Sequence, residues 1–287
     1  MNGVVIVDKP AGITSHDVVA RLRRIYKTRR VGHTGTLDPM ATGVLPVCIG
    51  NATKASDMLV SSIKRYSVEF MLGQRTDTLD FEGTVTEEHT VNVSEEDIRR
   101  VIASFTGEQE QIPPMYSAIK QNGKKLYELA RMGIEVEREK RKIVIHSIDI
   151  VDIDIPYIKI DVLCSKGTYI RSLCDDIGTE LGCGAVMTAL RRTETAGFKV
   201  EEAHTIEELE ETEKAFEAVI PTDRLFSQLP RIDLNEKQEK SIKNGVRMTW
   251  RTGDEGVSYR LYGSDGSFLC ISKLNDSRLV LIKSFWS

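Results

Sequence analysis

The sequence predicts an α+β fold, with a small β-rich module at the C-terminal end. Short apolar or alternating segments typical of strands recur along the chain, and amphipathic segments with helical spacing lie between them. At 287 residues the chain is longer than one hydrophobic core usually supports. We therefore predict a large domain over residues 1–228 and a separate small module over residues 229–287.

The first predicted elements are a strand, a helix and a long loop. The apolar run VVIVD (4–8) predicts a strand, and SHDVVARLRRIYK (15–27) has apolar residues at helical spacing with basic residues on the other face. Thr14 or Ser15 can cap this helix. Residues 29–47 contain three Gly, two Pro and three Thr, a composition that predicts a loop leading into the next strand.

The middle of the chain continues the alternation. RYSVEFMLG (65–73) alternates like a half-buried strand, and SEEDIRRVIASFTG (94–107) predicts a capped amphipathic helix. The basic segment 111–133 lies between that helix and the predicted strand 142–155, and its KKLYELARMG part predicts a short helix. This segment therefore has the pattern of an insertion.

The last third of the chain leads into the small module. Residues 157–182 predict a strand, a tight turn and a helix, and the acidic stretch 201–220 predicts a helix that Pro221 ends. The pieces VSYRLYG, SFLCISKL and RLVLIKS then alternate with Gly, Ser, Asp and Asn turns. This spacing predicts the β-rich module.

Charge is segregated along the chain. The net charge of −4 and the isoelectric point of about 5.9 argue against a nucleic-acid binder when taken alone. Residues 1–75, however, contain eleven Lys and Arg and five Asp and Glu, which gives a local charge of +6. Residues 116–145 contain eight Lys and Arg and four Glu, which gives +4. Local basic surface is what phosphate binding needs, although solvated helix faces are the alternative interpretation.

Other features exclude several protein classes. The chain has no apolar run of the length that spans a membrane, and its N-terminus lacks the pattern of a secretory signal. No phosphate-binding loop or dinucleotide fingerprint occurs. Five cysteines without metal-ligand spacing predict buried thiols, no metal site and a cytoplasmic location: Cys48, Cys164, Cys174, Cys183 and Cys270.

The loop HTGTLDPMATG (33–43) is the first candidate functional segment. Proline after Asp38 restricts the aspartate to an extended backbone, and glycines on either side allow close turns. A carboxylate in such a loop can project from a rigid backbone, although an aspartate that caps the next turn is the alternative. His33 lies in the same loop, whereas the other four histidines show no partner pattern.

Two further segments place aromatic and basic residues together. In GTYIRSL (167–173), Arg171 follows Tyr169 by two positions and could hold a carboxylate ionised and oriented. In KRY (64–66), Tyr66 could stack on a base while the cations meet phosphate. The alternatives are a surface arginine, a core tyrosine and an ordinary half-buried strand tyrosine.

Taken together and in order, these segments resemble the bacterial tRNA pseudouridine-55 synthases of the TruB type. The resemblance covers residues 1–198 and rests on VDKPAGITSHDVVARLRR, VGHTGTLDPMATGVLPVCIG, KRYSVEFMLGQRTDTLDFEG, QIPPMYSAIKQNGKKLYELARMGIEV, GTYIRSLCDDIGTELG and LRRTETAGF. The motif GHTGTLDPMATGVL is highly specific. The related dyskerin-type enzymes carry extra sequence that this chain lacks.

The resemblance implies a pseudouridine synthase fold, with a mixed, mainly antiparallel sheet, flanking helices and an active cleft across the sheet. It implies that Asp38 is the catalytic aspartate and that Arg171 pairs with it. It further implies that Tyr66 stacks on the target uracil, that His33 enters the T loop where the base has left, and that Tyr169 and Leu190 line the pocket.

The resemblance also implies RNA-binding parts. Residues 105–142 resemble the family's thumb insertion, in which the exposed cations expected to grip RNA are Lys124, Lys125, Lys140 and Arg141. The C-terminal module resembles a PUA-like RNA-binding domain. The implied partner is the T arm of tRNA, and we expect a monomer that needs no membrane and no protein partner.

The implied reaction converts uridine 55 of tRNA to pseudouridine. It breaks the N1–C1′ bond and forms a C5–C1′ bond without net redox change or hydrolysis, so we expect no cofactor. The base must leave its stack to expose the glycosidic bond. The sequence leaves open three routes: attack of the carboxylate at C1′, attack on the base, or elimination to a glycal.

Two other functional hypotheses compete with this enzyme. The first is a protein that binds and folds tRNA without catalysis, but such a protein could lose Asp38, Tyr66 and Arg171 without cost. The second is an acidic metabolic enzyme whose motifs are coincidental. Charge segregation and the lack of a cofactor motif argue against this second hypothesis.

Overall fold

The computed structural model describes residues 1–60 and 63–286. Its strands are β1 (Gly3–Lys9), β2 (Val31–His33), β3 (Thr42–Ile49), β4 (Lys64–Leu72), β5 (Gln74–Thr76), β6 (Val85–Glu88), β7 (Gly107–Gln111), β8 (Lys120–Gln121), β9 (Lys124–Lys125), β10 (Arg141–Asp154), β11 (Tyr157–Cys164), β12 (Ala185–Thr195), β13 (Phe198–Lys199), β14 (Ile220–Pro221), β15 (Arg231–Asp233), β16 (Met248–Thr249), β17 (Ser258–Tyr262), β18 (Phe268–Asn275) and β19 (Arg278–Ser284). Its α-helices are α1 (Ser15–Ile25), α2 (Ser56–Val60), α3 (Glu95–Ser104), α4 (Leu126–Arg131), α5 (Ile170–Glu180), α6 (Ile206–Glu210), α7 (Thr212–Glu217) and α8 (Glu236–Lys243).

One large sheet organises the molecule up to β14. Its strand order is β14-β1-β3-β12-β4-β11-β10-β7, with β2 paired to β3 and β13 paired to β12. Within the described chain, β12 and β3 pair in parallel, and the other neighbouring strands of this sheet pair antiparallel. The predicted α+β fold with a mixed, mainly antiparallel sheet is confirmed.

The core lies between this sheet and the helices. Along β4, alternate residues are buried, as period-2 patterning requires: Tyr66, Val68, Phe70 and Leu72. Helix α1 buries its apolar face, and Thr14 caps it, since the Thr14 Oγ1 accepts a hydrogen bond from the Asp17 amide at 3.1 Å. No helix among residues 1–60 and 63–286 is long and apolar enough to cross a membrane.

The parallel junction of β3 and β12 depends on Gly43. This residue has a φ of +101°, and a Cβ atom there would collide with the backbone of Arg192. Glycine thus lets β3 approach β12 at the point where the 33–43 loop enters the sheet. The 33–43 loop also contacts β12 directly, since Arg192 donates to the Gly35 carbonyl at 3.1 Å.

The insertion between β7 and β10 contains a hairpin and a short helix. Asn122 and Gly123 both have positive φ, which suits a two-residue hairpin turn between β8 and β9. Because Lys124 and Lys125 belong to this hairpin, helix α4 begins only at Leu126. The expectation that both lysines belong to the helix is therefore wrong.

The acidic stretch 201–220 is less regular than its composition predicts. Glu211 has an extended backbone that separates α6 from α7, and residues 200–202 form a 3₁₀ turn. The Tyr26 hydroxyl donates a 2.7 Å hydrogen bond to the Ala215 carbonyl, which attaches α7 to the end of α1. The predicted single helix is replaced by two short ones.

A second sheet follows at the C-terminal end. Its order is β15-β17-β18-β19-β16, and α8 packs beside it over a separate apolar core. The C-terminal module contacts the segment that follows β3. The Asn51 side-chain amide donates to the Phe285 carbonyl at 2.9 Å, and Lys283 forms a 2.9 Å ion pair with Asp57. The five cysteines are buried, as expected.

Helix α5 carries two adjacent acids, the buried Asp175 and the half-buried Asp176. Arg75 holds Asp175 by two hydrogen bonds of 2.7 Å. Burial raises the pKa of Asp176 from 3.8 to about 6, and the neighbouring Asp175 adds to the shift. Because the pKa is higher in the folded state than in the unfolded state, protonated Asp176 contributes to the unfolding free energy. This contribution is fully present below pH 3.8 and is lost as the pH rises through 6.

Asp176→Asn is therefore expected to stabilise the protein at pH 8. The gain in unfolding free energy should be about 1–3 kcal/mol, since each pKa unit corresponds to about 1.4 kcal/mol. Below pH 4 the gain should vanish because the wild-type carboxyl is then neutral. Urea unfolding at pH 8 and pH 4 measures both values, and a gain that does not change between them would contradict this account.

Candidate active site

Asp38 lies in the loop between β2 and β3, on a backbone that is fixed from both sides. The Ser15 hydroxyl, at the start of α1, accepts a 2.8 Å hydrogen bond from the Leu37 amide and donates a 3.0 Å bond to the Leu37 carbonyl. The Ala41 amide donates to the Asp38 carbonyl at 3.1 Å. The Asp38 side chain is 36 % exposed, so a rigid loop presents a carboxylate that substrate can reach.

Lys9 lies beneath the same loop. Its side chain is fully buried, and its ammonium group donates to the carbonyls of Pro10, Pro39 and Ala41 at 2.9, 3.1 and 2.6 Å. Burial lowers the pKa of Lys9 to about 8, while the negative charge of Asp38 acts in the opposite direction. Sequence reasoning counted Lys9 only among the basic residues of the N-terminal segment, since nothing in the pattern marks it as buried.

Arg171, in the first turn of α5, contacts Asp38 directly. Its Nη2 lies 3.0 Å from Asp38 Oδ2, and the same nitrogen donates to the Tyr116 carbonyl at 2.8 Å. Its Nη1 donates to the Thr78 carbonyl at 2.9 Å. The arginine side chain is only 6 % exposed, so the surface-arginine alternative does not describe it. Four groups hold this guanidinium in one orientation.

Asp80 is the fourth of these groups, and sequence reasoning did not select it. Its Oδ2 lies 3.4 Å from Arg171 Nη1, and its side chain is 8 % exposed. Burial raises the pKa of Asp80, while a hydrogen bond from Thr78 and the Arg171 charge lower it. The polar turn TDTLD (76–80) is the one sequence feature that could have pointed to Asp80. The burial of Asp80, however, results from the contact of this turn with Arg171 of α5.

The residues expected to line the pocket come from several elements. Tyr66 on β4 is 6 % exposed and Leu190 on β12 is 8 % exposed. Tyr169 precedes α5, where its backbone and the Gln111 amide exchange hydrogen bonds of 2.8 and 3.0 Å. Burial raises the pKa of both phenols, and the nearby Asp38 charge adds to each shift.

His33 ends β2 at the start of the Asp38 loop. Burial lowers its pKa, which favours the neutral ring at pH 7. Its Nδ1 is buried without a hydrogen-bond partner in the part of the chain that the structure describes. An unpaired buried ring nitrogen is costly, so this histidine stands out from an ordinary core side chain.

The four predicted RNA-gripping cations lie between residues 124 and 141. Lys124 and Lys125 form β9, Lys140 precedes β10, and Arg141 is the first residue of β10. Lys124, Lys140 and Arg141 are exposed, whereas Lys125 is half-buried and packs on the Tyr127 ring, 5.3 Å from its centre. The insertion reaches the site, because the Tyr116 carbonyl at its base accepts the bond from Arg171.

Family models match most of the chain. The TruB family pseudouridylate synthase N-terminal domain matches residues 23–170, and the tRNA pseudouridylate synthase B C-terminal domain matches residues 171–227. The chain belongs to the TruB family of pseudouridylate synthases. The predicted family and the prediction of a pseudouridine synthase are therefore confirmed, and this enzyme is an isomerase.

Similar proteins agree over nearly the full length. A protein named tRNA pseudouridine synthase B from Clostridium kluyveri is 45 % identical, over 99 % of this chain and 100 % of its own length. The protein of the same name from Clostridium acetobutylicum is 46 % identical over 99 % of each chain. That from Clostridium tetani is 50 % identical over 86 % of each chain.

Solved structures share the fold. A chain in a crystal structure of a Cbf5-Nop10-Gar1 complex matches with a TM-score of 0.74 and 26 % identity, covering 99 % of this chain and 85 % of its own length. A chain in the archaeal box H/ACA sRNP Nop10-Cbf5 complex matches with a TM-score of 0.70 and 26 % identity, covering 99 % and 86 %. The predicted pseudouridine synthase fold is confirmed.

Proposed function

We propose that this enzyme isomerises uridine 55 in the T loop of tRNA to pseudouridine, with Asp38 as the catalytic carboxylate. The observation that carries the proposal is the 3.0 Å pair between a half-exposed Asp38 and a buried Arg171, in a site with the buried Tyr66 and the half-buried Tyr169. The names of the similar Clostridium proteins support tRNA as the substrate.

The proposed chemistry follows from the position of the carboxylate. Breaking the N1–C1′ bond requires the uridine to leave its stack and enter the site, where Tyr66 stacks on the base and Leu190 and Tyr169 enclose it. His33, at the edge of the site, enters the space that the base leaves. Asp38 then acts at C1′, on the base or on the C2′ proton, and Arg171 holds it in place for any of these routes.

The same proposal assigns RNA binding to two other parts. The thumb (residues 105–142) and the C-terminal module (229–287) bind the T arm, the module as a PUA-like domain beside the catalytic domain (1–228). Exposed cations on the thumb support this role. We further propose that the enzyme works as a cytoplasmic monomer without a protein partner or cofactor. Gel filtration with light scattering measures the molar mass in solution and so tests whether the enzyme is a monomer.

The experiment that tests the function uses an unmodified tRNA transcript. Treatment with the enzyme is expected to give one carbodiimide adduct at position 55 that resists alkali, as pseudouridine adducts do. A transcript with cytidine at position 55 serves as the control. Tight tRNA binding without any such adduct would favour the alternative of a tRNA-folding protein, and an adduct at another position would correct the substrate site.

Neutralising the thumb cations is expected to weaken tRNA binding and flatten its salt dependence. Replacing Lys124, Lys125, Lys140 and Arg141 by Ala removes up to four phosphate contacts. Each lost contact lowers the log–log salt slope by about 0.7 to 0.9. Filter binding at salt concentrations from about 50 to about 300 mM, a range that includes physiological ionic strength, measures the slope.

The matched control for this prediction keeps the four charges. It exchanges the three lysines for Arg and Arg141 for Lys, and it should retain the wild-type slope. If the Ala variant also retains that slope, the thumb does not bind phosphate.

A further inference from the structure

Arg192 occupies a junction in the large sheet that links both sides of the active site. On β12 it pairs with Tyr66 of β4 on one side and with Gly43 of β3 on the other. Leu190, two positions earlier, points to the same face of the strand. Arg192 thus lies between the strand that carries the stacking tyrosine and the strand that continues from the Asp38 loop.

Its guanidinium binds the Asp38 loop at both ends. Nε donates to the Val44 carbonyl at 2.7 Å, just after the loop, and Nη2 donates to the Gly35 carbonyl at 3.1 Å, three residues before Asp38. Arg192 is only 1 % exposed. One rigid, planar group therefore sets the separation of the two loop ends.

The charge of Arg192 has no carboxylate partner. Within residues 1–60 and 63–286, no acid forms an ion pair with it, whereas the adjacent Arg191 pairs with Asp8 at 2.7 Å. Burying a cation without an ion-pair partner is costly, and an apolar side chain of similar size would avoid that cost. Stability alone does not explain an arginine here.

The surroundings of Arg192 belong to the active site. Its charge lowers the pKa of His33 together with burial, and it opposes the effect of burial on the Tyr66 phenol. Lys9 supports the middle of the same loop through Pro39 and Ala41. Two buried cations thus bind the carbonyls around Asp38, and Arg192 is the one that also adjoins the uracil-stacking strand.

We propose that Arg192 is a positioning residue, which fixes the ends of the Asp38 loop against the strand that carries Tyr66. The carboxylate and the stacking ring are thereby held at one separation, as each of the three routes requires. The proposal rests on the proposed function, because it concerns the same reaction and the same site.

The experiment compares Arg192→Met and Arg192→Lys with the wild type. Methionine fills similar space without charge or donors, and lysine keeps the charge but cannot span two carbonyls as the guanidinium does. Single-turnover release of tritium from tRNA labelled at uridine C5 gives the rate, since C5–C1′ bond formation displaces that hydrogen. Filter binding gives the dissociation constant, and thermal unfolding gives the stability.

We expect Arg192→Met to lower the single-turnover rate at least about 100-fold, and Arg192→Lys to lower it about tenfold. Both should bind tRNA within about twofold of wild type, because the residue is buried away from phosphate. Arg191→Lys, the neighbouring control, should keep the wild-type rate. Partial rescue by lysine at unchanged affinity distinguishes positioning from a general loss of structure.

Three results would overturn the proposal. The first is a wild-type rate in a folded Arg192→Met variant. The second is a loss of rate that matches an equal loss of tRNA affinity or of thermal stability. The third is failure of both variants to fold, which would make Arg192 a determinant of the fold. The wild-type rate tests the proposed function by itself, whereas the ratio of rates tests Arg192.

Discussion

Asp38→Asn is expected to abolish isomerisation and to leave most of the tRNA affinity intact. Asparagine keeps the shape of the side chain but cannot act as a nucleophile or a base. The rate should fall by at least about 10³-fold, which corresponds to about 4 kcal/mol of barrier. Binding should change little, because the basic residues that are expected to bind phosphate are left unchanged.

A matched control exists on the same sheet. Asp161 pairs with Arg65 at 2.9 Å and is 24 % exposed, so Asp161→Asn also breaks an aspartate–arginine pair. It should retain the wild-type rate of tritium release, since Asp161 is not among the site residues and Arg65, next to Tyr66, is left in place. A rate for Asp38→Asn within about tenfold of wild type, only about 1.4 kcal/mol, would remove Asp38 from the catalytic role.

Much of the fold is predictable because its signals are local. The alternating pattern of β4 and the helical spacing of α1 each lie within one short segment, and both elements occur where the pattern predicts them. The break at Glu211 is different, because it depends on how the segment packs against a distant element, as the bond from Tyr26 to Ala215 illustrates. The hairpin that holds Lys124 does have a local signal in Asn122-Gly123, which the helical pattern of the following residues obscured.

The site likewise contains residues that the sequence marks and residues that only the structure reveals. Asp38 and Arg171 stand in distinctive sequence motifs, and the structure brings them within 3.0 Å of each other. Lys9, Asp80 and Arg192 look like ordinary surface charges in the sequence, yet the structure buries all three. Burial of a charged side chain results from tertiary contacts, here with backbone carbonyls and with Arg171, and a single sequence does not display those contacts.

Arg171→Lys is expected to be far from neutral, although it conserves the charge. The guanidinium joins Asp38, Asp80 and two backbone carbonyls through two terminal nitrogens. An ammonium group is a single point donor and cannot hold all four groups. Asp38 would then lose its fixed orientation, and Asp80 would remain buried with a weakened partner.

The loss should appear in turnover and not in binding. A misoriented carboxylate costs transition-state stabilisation selectively, so the single-turnover rate should fall about 100-fold, or about 3 kcal/mol. The tRNA dissociation constant should stay within about twofold, since a buried Arg171 makes no phosphate contact. Single-turnover tritium release and filter binding measure the two quantities on the same preparation.

Arg75→Lys is the control that separates orientation from stability. Arg75 holds Asp175 of the same helix through two 2.7 Å hydrogen bonds, so its replacement also disrupts a bidentate pair attached to α5. It should lower the unfolding free energy by about 1–3 kcal/mol and leave the rate unchanged. If Arg171→Lys behaves in the same way, with lower stability and a wild-type rate, then Arg171 stabilises α5 and does not orient Asp38.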